Sequence, residues 1–94
     1  MDVKRIDELN EEAMDQLDEI ITTLLKLRKK AGISQEALSA ATNISRGTLS
    51  KLESFNGIPD FKTIAVLLSY YGARLEVVLP PKNKGQATTI IKQE

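Results

Sequence analysis

One local signal occurs twice in this chain: Ile33-Ser34 with Leu38, and eleven residues later Ile44-Ser45 with Leu49. A serine hydroxyl at the residue before a helix accepts from the free amides of the first turn. The apolar residue just before the serine packs onto the one five positions after itself, which fixes the entry angle of the chain. Each copy therefore starts a helix, and the spacing leaves room only for two short ones, from Ser34 to near Thr42 and from Ser45 to near Ser54. Glu36 lies in the first turn of the earlier helix, where a carboxylate meets the positive end of the helix dipole. Asn43 tolerates the left-handed conformation, so a tight turn is expected between Thr42 and Ser45.

The flanking segments complete a helical domain. Ile6, Leu9, Ala13, Leu17, Ile20, Leu24 and Leu27 recur at steps of three and four, the stripe of an amphipathic helix over about residues 5–30. Periodicity leaves open whether this is one rod or two pieces broken near Asn10; Gly32 ends it after Lys29 and Lys30. After the loop Phe55-Asn56-Gly57-Ile58-Pro59, Asp60 caps a fourth helix with an apolar face of Phe61, Ile64, Ala65, Leu67 and Leu68, stopped at Gly72. The pattern then becomes β-branched, and Arg74-Leu75-Glu76-Val77-Val78-Leu79 reads as one strand ended by Pro80-Pro81. Nothing else in the chain reads as its partner, so a second copy is expected to supply one through an antiparallel ribbon across a homodimer. Residues 82–94 lack periodicity and are expected to form a mobile tail. The expected organisation is thus an acidic helical extension (1–19), a helical domain (20–72), a dimerisation strand (73–80) and a tail (81–94).

Composition limits the chemistry. The chain has neither cysteine nor histidine, which removes thiol catalysis, thiolate metal sites and the commonest general base. Together with the lack of a glycine-rich phosphate loop, this argues against an enzyme, and no residue calls for a cofactor. No apolar run approaches the roughly 20 residues that cross a bilayer, and the amino terminus is acidic where a signal peptide would be basic; a cytoplasmic protein with no membrane contact is expected. The formal net charge is zero, which looks unfavourable for binding phosphates. Its distribution removes the objection: residues 1–19 hold eight acids against Lys4 and Arg5, a net of −6, and the remainder carries +6.

Two short helices joined by a three-residue turn make a helix-turn-helix, a geometry that presents the second helix to the DNA major groove. An ordinary helical corner has the same caps. The side chains distinguish the two, because Ser45, Arg46, Thr48, Ser50 and Lys51 all reach toward phosphates or base edges, while Leu49 and Leu52 point inward.

The segments Leu27-Arg28-Lys29-Lys30-Ala31-Gly32-Ile33-Ser34-Gln35-Glu36-Ala37-Leu38 and Ile44-Ser45-Arg46-Gly47-Thr48-Leu49-Ser50-Lys51-Leu52-Glu53 resemble the xenobiotic-response-element family of lambda-repressor-like proteins, over about residues 20–71. The resemblance implies an all-α fold and a repressor that binds an inverted repeat in double-stranded DNA. It implies that Gln35 binds a phosphate where the second helix opens, and that Ser45, Arg46, Gly47, Ser50 and Lys51 face the DNA; the outward face of the third helix adds Thr48, and the free amides at the start of the second add Ser34 as a further phosphate contact. It also implies that Arg28 and Glu53 form a structural ion pair between the first and third helices. Ser39 stands where the family favours Ala, and Asn43 where it favours Gly. Gly47 inside the third helix costs about 1 kcal/mol relative to Ala; it reads either as drift at an exposed site or as a means of close approach to the bases. The strand at Arg74–Leu79 is similar to that of HipB-type antitoxins, which implies an autorepressor with a HipA-like toxin kinase as partner. Prophage and metabolic repressors share the architecture.

A second reading makes residues 1–19, or Thr88-Thr89-Ile90-Ile91, a surface for a protein partner. The plainer one makes residues 1–19 a solvated extension that keeps its charge away from phosphates.

Overall fold

The computed structural model describes residues 5–81 and 88–89. Four helices follow one another, α1 (Ile6–Ala31), α2 (Gln35–Thr42), α3 (Arg46–Glu53) and α4 (Phe61–Tyr70), and two short strands close the order, β1 (Val78–Leu79) and β2 (Thr88–Thr89).

Local side-chain chemistry sets most of the boundaries. The Ser34 and Ser45 hydroxyls and the Asp60 carboxylate each accept from the backbone amide three residues on, at 3.0, 3.0 and 2.9 Å. Gly32 ends α1 and Asn43 ends α2 in the left-handed conformation, at φ 71° and 62°, where glycine carries no steric cost and asparagine little. α1 is a single rod that runs without interruption past Asn10 and past residues 19 and 20. α3 ends differently from the sequence expectation. Phe55 takes φ 61°, and the amides of Phe55 and Asn56 close back on the carbonyls of Leu52 and Lys51. A large residue thus occupies the left-handed corner where glycine usually sits.

Eight residues form the core: Ile21 and Leu24 from α1, Leu38 from α2, Leu49 and Leu52 from α3, and Ile64, Leu67 and Leu68 from α4. α3 packs on both α1 and α2, and α2 on α4, so α3 is supported from behind. The expected faces need two adjustments. In α1 the most deeply buried residue is Ile21, outside the predicted stripe, while Ile20 packs at the margin. In α4, Phe61, at the first position of the helix, is 70% exposed.

The carboxy-terminal strand is shorter than predicted and has a partner in the chain. Of Arg74 to Leu79 only Val78 and Leu79 form a ladder, antiparallel to β2 with Val78 opposite Thr89 and Leu79 opposite Thr88. The segment 74–77 makes no ladder, although Arg74 and Glu76 pair at 2.7 Å as alternate residues of an extended chain do. The expectation that nothing in the chain pairs with this strand is therefore corrected. Thr88 and Thr89 are β-branched and suit a pleat, but two residues are too few to show a period. Apart from Pro81 and β2, the expected mobile tail lies outside the described residues, as do Ile90 and Ile91.

Candidate nucleic-acid interface

The three-residue turn Asn43-Ile44-Ser45 joins α2 to α3, and Ile44 packs against the core with Leu49 fully buried behind it. With Leu49 and Leu52 facing inward, the opposite side of α3 is forced outward. Ser45, Arg46, Gly47, Thr48, Ser50 and Lys51 are all exposed. Every predicted site residue of α3, and its cap Ser45, is thus open to solvent. The Ser45 hydroxyl is not a free donor: it accepts from the Thr48 amide and donates to the Thr48 hydroxyl at 2.8 Å. Its first task is to start the helix, which leaves Arg46, Ser50 and Lys51 as the exposed polar side chains of this face outside the cap.

Arg28 and Glu53 meet as the resemblance implies. Arg28 Nε donates to Glu53 Oε2 at 2.7 Å and Nη2 to Oε1 at 2.8 Å, while Nη1 donates to the Ile33 carbonyl at 2.8 Å. A guanidinium fork so engaged locks the end of α1, the entry to α2 and the end of α3 into one arrangement. The side chains are 16% and 9% exposed. Burial pushes the Glu53 carboxyl up, but the hydrogen bonds from Arg28 and Gln35 and the Arg28 charge outweigh it and hold the group below the usual carboxylate range. The hydrogen bond to Glu53 raises the Arg28 guanidinium above its ordinary value. Both groups are charged at neutral pH, and Arg28 is spent on the fold.

Gln35 is drawn into the same cluster, its Nε2 donating to Glu53 Oε1 at 3.0 Å. An amide nitrogen carries two hydrogens, so one holds Glu53 and the second remains for an acceptor outside the protein. Gln35 is half-buried and Ser34 exposed at the start of α2, where free amides and the helix dipole favour an anion.

Gly47 has no structural reason to be glycine. A Cβ built on it meets only the Ser45 hydroxyl, at 4.0 Å. Gly47→Ala is therefore expected to stabilise the free domain by about 1 kcal/mol, a rise in Tm of roughly 4–8 °C, while weakening duplex binding through lost approach to the bases. Thermal melting and anisotropy titration check both halves; unchanged affinity makes the glycine incidental.

Sequence reasoning missed one neighbouring feature. Asn56 and Thr63 line, with Thr48, Lys51 and Asp60, an open polar cleft beside α3. Asp60 is committed to its cap, where hydrogen bonds from Thr63 hold its carboxyl below the ordinary value. Asn56 and Lys51 offer donors at the edge of the α3 face. The Asn56-Gly57 pair three residues beyond α3 is the available signal, and the sequence reading treats that stretch only as a loop.

No helix among the described residues is long and apolar enough to cross a membrane. A family model described as helix-turn-helix matches residues 24–78, more than half of the chain. No curated protein and no solved structure matches it.

Proposed function

The chain belongs to the helix-turn-helix family, of the xenobiotic-response-element and lambda-repressor-like kind, and from that premise we propose that it is a transcriptional repressor acting as a twofold homodimer on an inverted-repeat operator. The family is one of DNA-binding transcriptional regulators rather than enzymes. The observation that carries the proposal is the division of α3 into a face closed on the core by Leu49 and Leu52 and a wholly exposed polar face.

Each residue then has a task. Arg46 grips guanine O6 and N7 through its guanidinium fork, and Ser50 and Lys51 read adjacent positions or phosphates. Ser34, the second Gln35 hydrogen and the first amides of α2 hold the phosphate chain and set the register. Two copies of α3 lie about 34 Å apart in successive major grooves, and occupancy excludes polymerase. Such a repressor acts in the cytoplasm with the DNA and uses no cofactor.

Dimer formation is consistent with a revised role for the segment Arg74, Leu75, Glu76, Val77, Val78 and Leu79. β2 covers one edge of β1, and the other edge of Val78–Leu79 is available to the same strand of a second copy, giving a four-stranded sheet. The antitoxin form of this proposal, with a toxin kinase as partner, is supported by the order of four helices followed by a strand. A prophage or metabolic repressor needs only the region the family model spans.

Selection from a randomised duplex library with the full chain tests the proposal. The expected product is an inverted repeat whose half-sites lie about 10–10.5 base pairs apart, centre to centre. A single asymmetric site rules out the twofold dimer, and no enrichment at low salt rules out specific binding.

A further inference from the structure

The apolar stripe of α1 does not stop where the domain stops. Ile21 and Leu24 are buried and Leu17 and Ile20 pack at the margin of the core, but the same side of the helix continues through Ala13 to Leu9, 50% exposed, and Ile6, 77% exposed. From Ile6 to Leu17 this is about 18 Å of helix. Its lower end runs into an open groove whose walls include Ala13, Leu17, Ile20, Phe61 and Leu75. A stripe of this size left uncovered marks a surface meant to be covered.

Charge decides by what. From Ile6 to Leu25 the chain holds Asp7, Glu8, Glu11, Glu12, Asp15, Asp18 and Glu19 and not one Lys or Arg. At 100° per residue the carboxylates fall on the side away from Ile6, Leu9 and Ala13, with Glu11 and Asp18 toward one flank and Glu8 and Glu19 toward the other, while Asp7 is paired with Arg5 at 3.8 Å. A second copy laid along the same face would bring acidic flank against acidic flank in either orientation, which disfavours pairing. Nucleic acid and anionic lipid are repelled for the same reason. The occupant that satisfies both halves of the surface is an amphipathic helix with an apolar stripe and cationic borders.

We propose that the amino-terminal half of α1, Ile6 to Leu17, together with the groove beside Phe61 and Leu75, is a docking surface for a basic amphipathic helix of another protein. The surface lies on the opposite part of the chain's charge distribution from α3, and the proposal does not depend on the repressor reading. Apolar contact supplies affinity, while the acidic borders supply orientation and selection against other helices.

The test uses the full chain and three labelled 18-residue peptides: leucine and lysine at helical spacing, the same composition scrambled, and a leucine–glutamate counterpart. The first is expected to bind at least tenfold more tightly than the second, with no binding of the third. Ile6→Ser/Leu9→Ser, at exposed positions, is expected to lose at least tenfold in affinity for the first peptide while its melting temperature and duplex binding stay unchanged. Equal affinity for the two lysine peptides, or unchanged affinity in the variant, overturns the proposal. A variant that sediments as a monomer where the parent is a dimer also overturns it, since a second copy would then be the occupant.

Discussion

Glu53→Ala is expected to lower the stability of the domain by about 3–5 kcal/mol, a large part of the roughly 5–10 kcal/mol that holds a chain of this size. The carboxylate accepts two hydrogen bonds from Arg28 and one from Gln35, so its removal leaves a guanidinium 16% exposed without a counter-charge. Replacing both partners, as Arg28→Met with Glu53→Leu, is expected to recover most of the loss, because the cost lies in the orphaned charge rather than in the missing attraction. Denaturant unfolding of the three variants checks this, and a double variant no better than the single one contradicts it. The depressed Glu53 carboxyl also fixes a pH dependence. The folded state binds this proton less readily than the unfolded chain, so its contribution is fully present above the ordinary carboxylate pKa of about 4.3 and disappears as pH falls through the lower folded value. In Glu53→Ala the acid limb of the stability profile should flatten.

Arg46→Ala is expected to cost about 1–3 kcal/mol on the preferred site, or roughly 5- to 150-fold in affinity, with the loss confined to one base pair per half-site. Arg46 lies in the first turn of α3, is exposed and forms no ion pair among the described residues, so the substitution removes a reading group without disturbing the fold. Arg46→Lys keeps the charge but not the planar fork and should recover general affinity while leaving specificity relaxed. Gln35→Ala is the contrasting variant. In the proposed complex Gln35 contacts phosphate, so its loss should weaken all sequences alike. Repeated library selection with each variant separates the roles, and the same sequence preference in Arg46→Ala as in the parent contradicts the assignment.

The helical frame was readable because its determinants are local. A capping hydroxyl and the amide it accepts from are three residues apart, so Ser34, Ser45 and Asp60 mark their helices without knowledge of the rest of the fold. The outward face of α3 followed from Leu49 and Leu52 for the same reason. Features set by packing between distant elements were less legible. Ile20 and Ile21 differ by 100° around α1, and only the position of the other helices decides that Ile21 is the buried one. Phe61 matches the apolar period of α4 but sits where no helix covers it. The pairing of Arg28 with Glu53 spans 25 residues and came from the family resemblance, not from periodicity. That resemblance did not reveal that Gln35 also binds Glu53. The strand partner was missed because Thr88-Thr89 is too short to carry a pattern and follows a proline- and lysine-rich stretch that reads as the end of the fold.

The most direct test of α3 as the reading element is dimethyl sulfate protection on a duplex carrying the selected site. The reagent methylates guanine N7 in the major groove and adenine N3 in the minor groove, so it reports which groove is filled. Protected guanine N7 positions in two successive major grooves on one side of the duplex are expected, with the guanine facing Arg46 exposed again in Arg46→Ala. Protection confined to adenine N3, or a pattern indifferent to Arg46, would contradict insertion of α3 into the major groove.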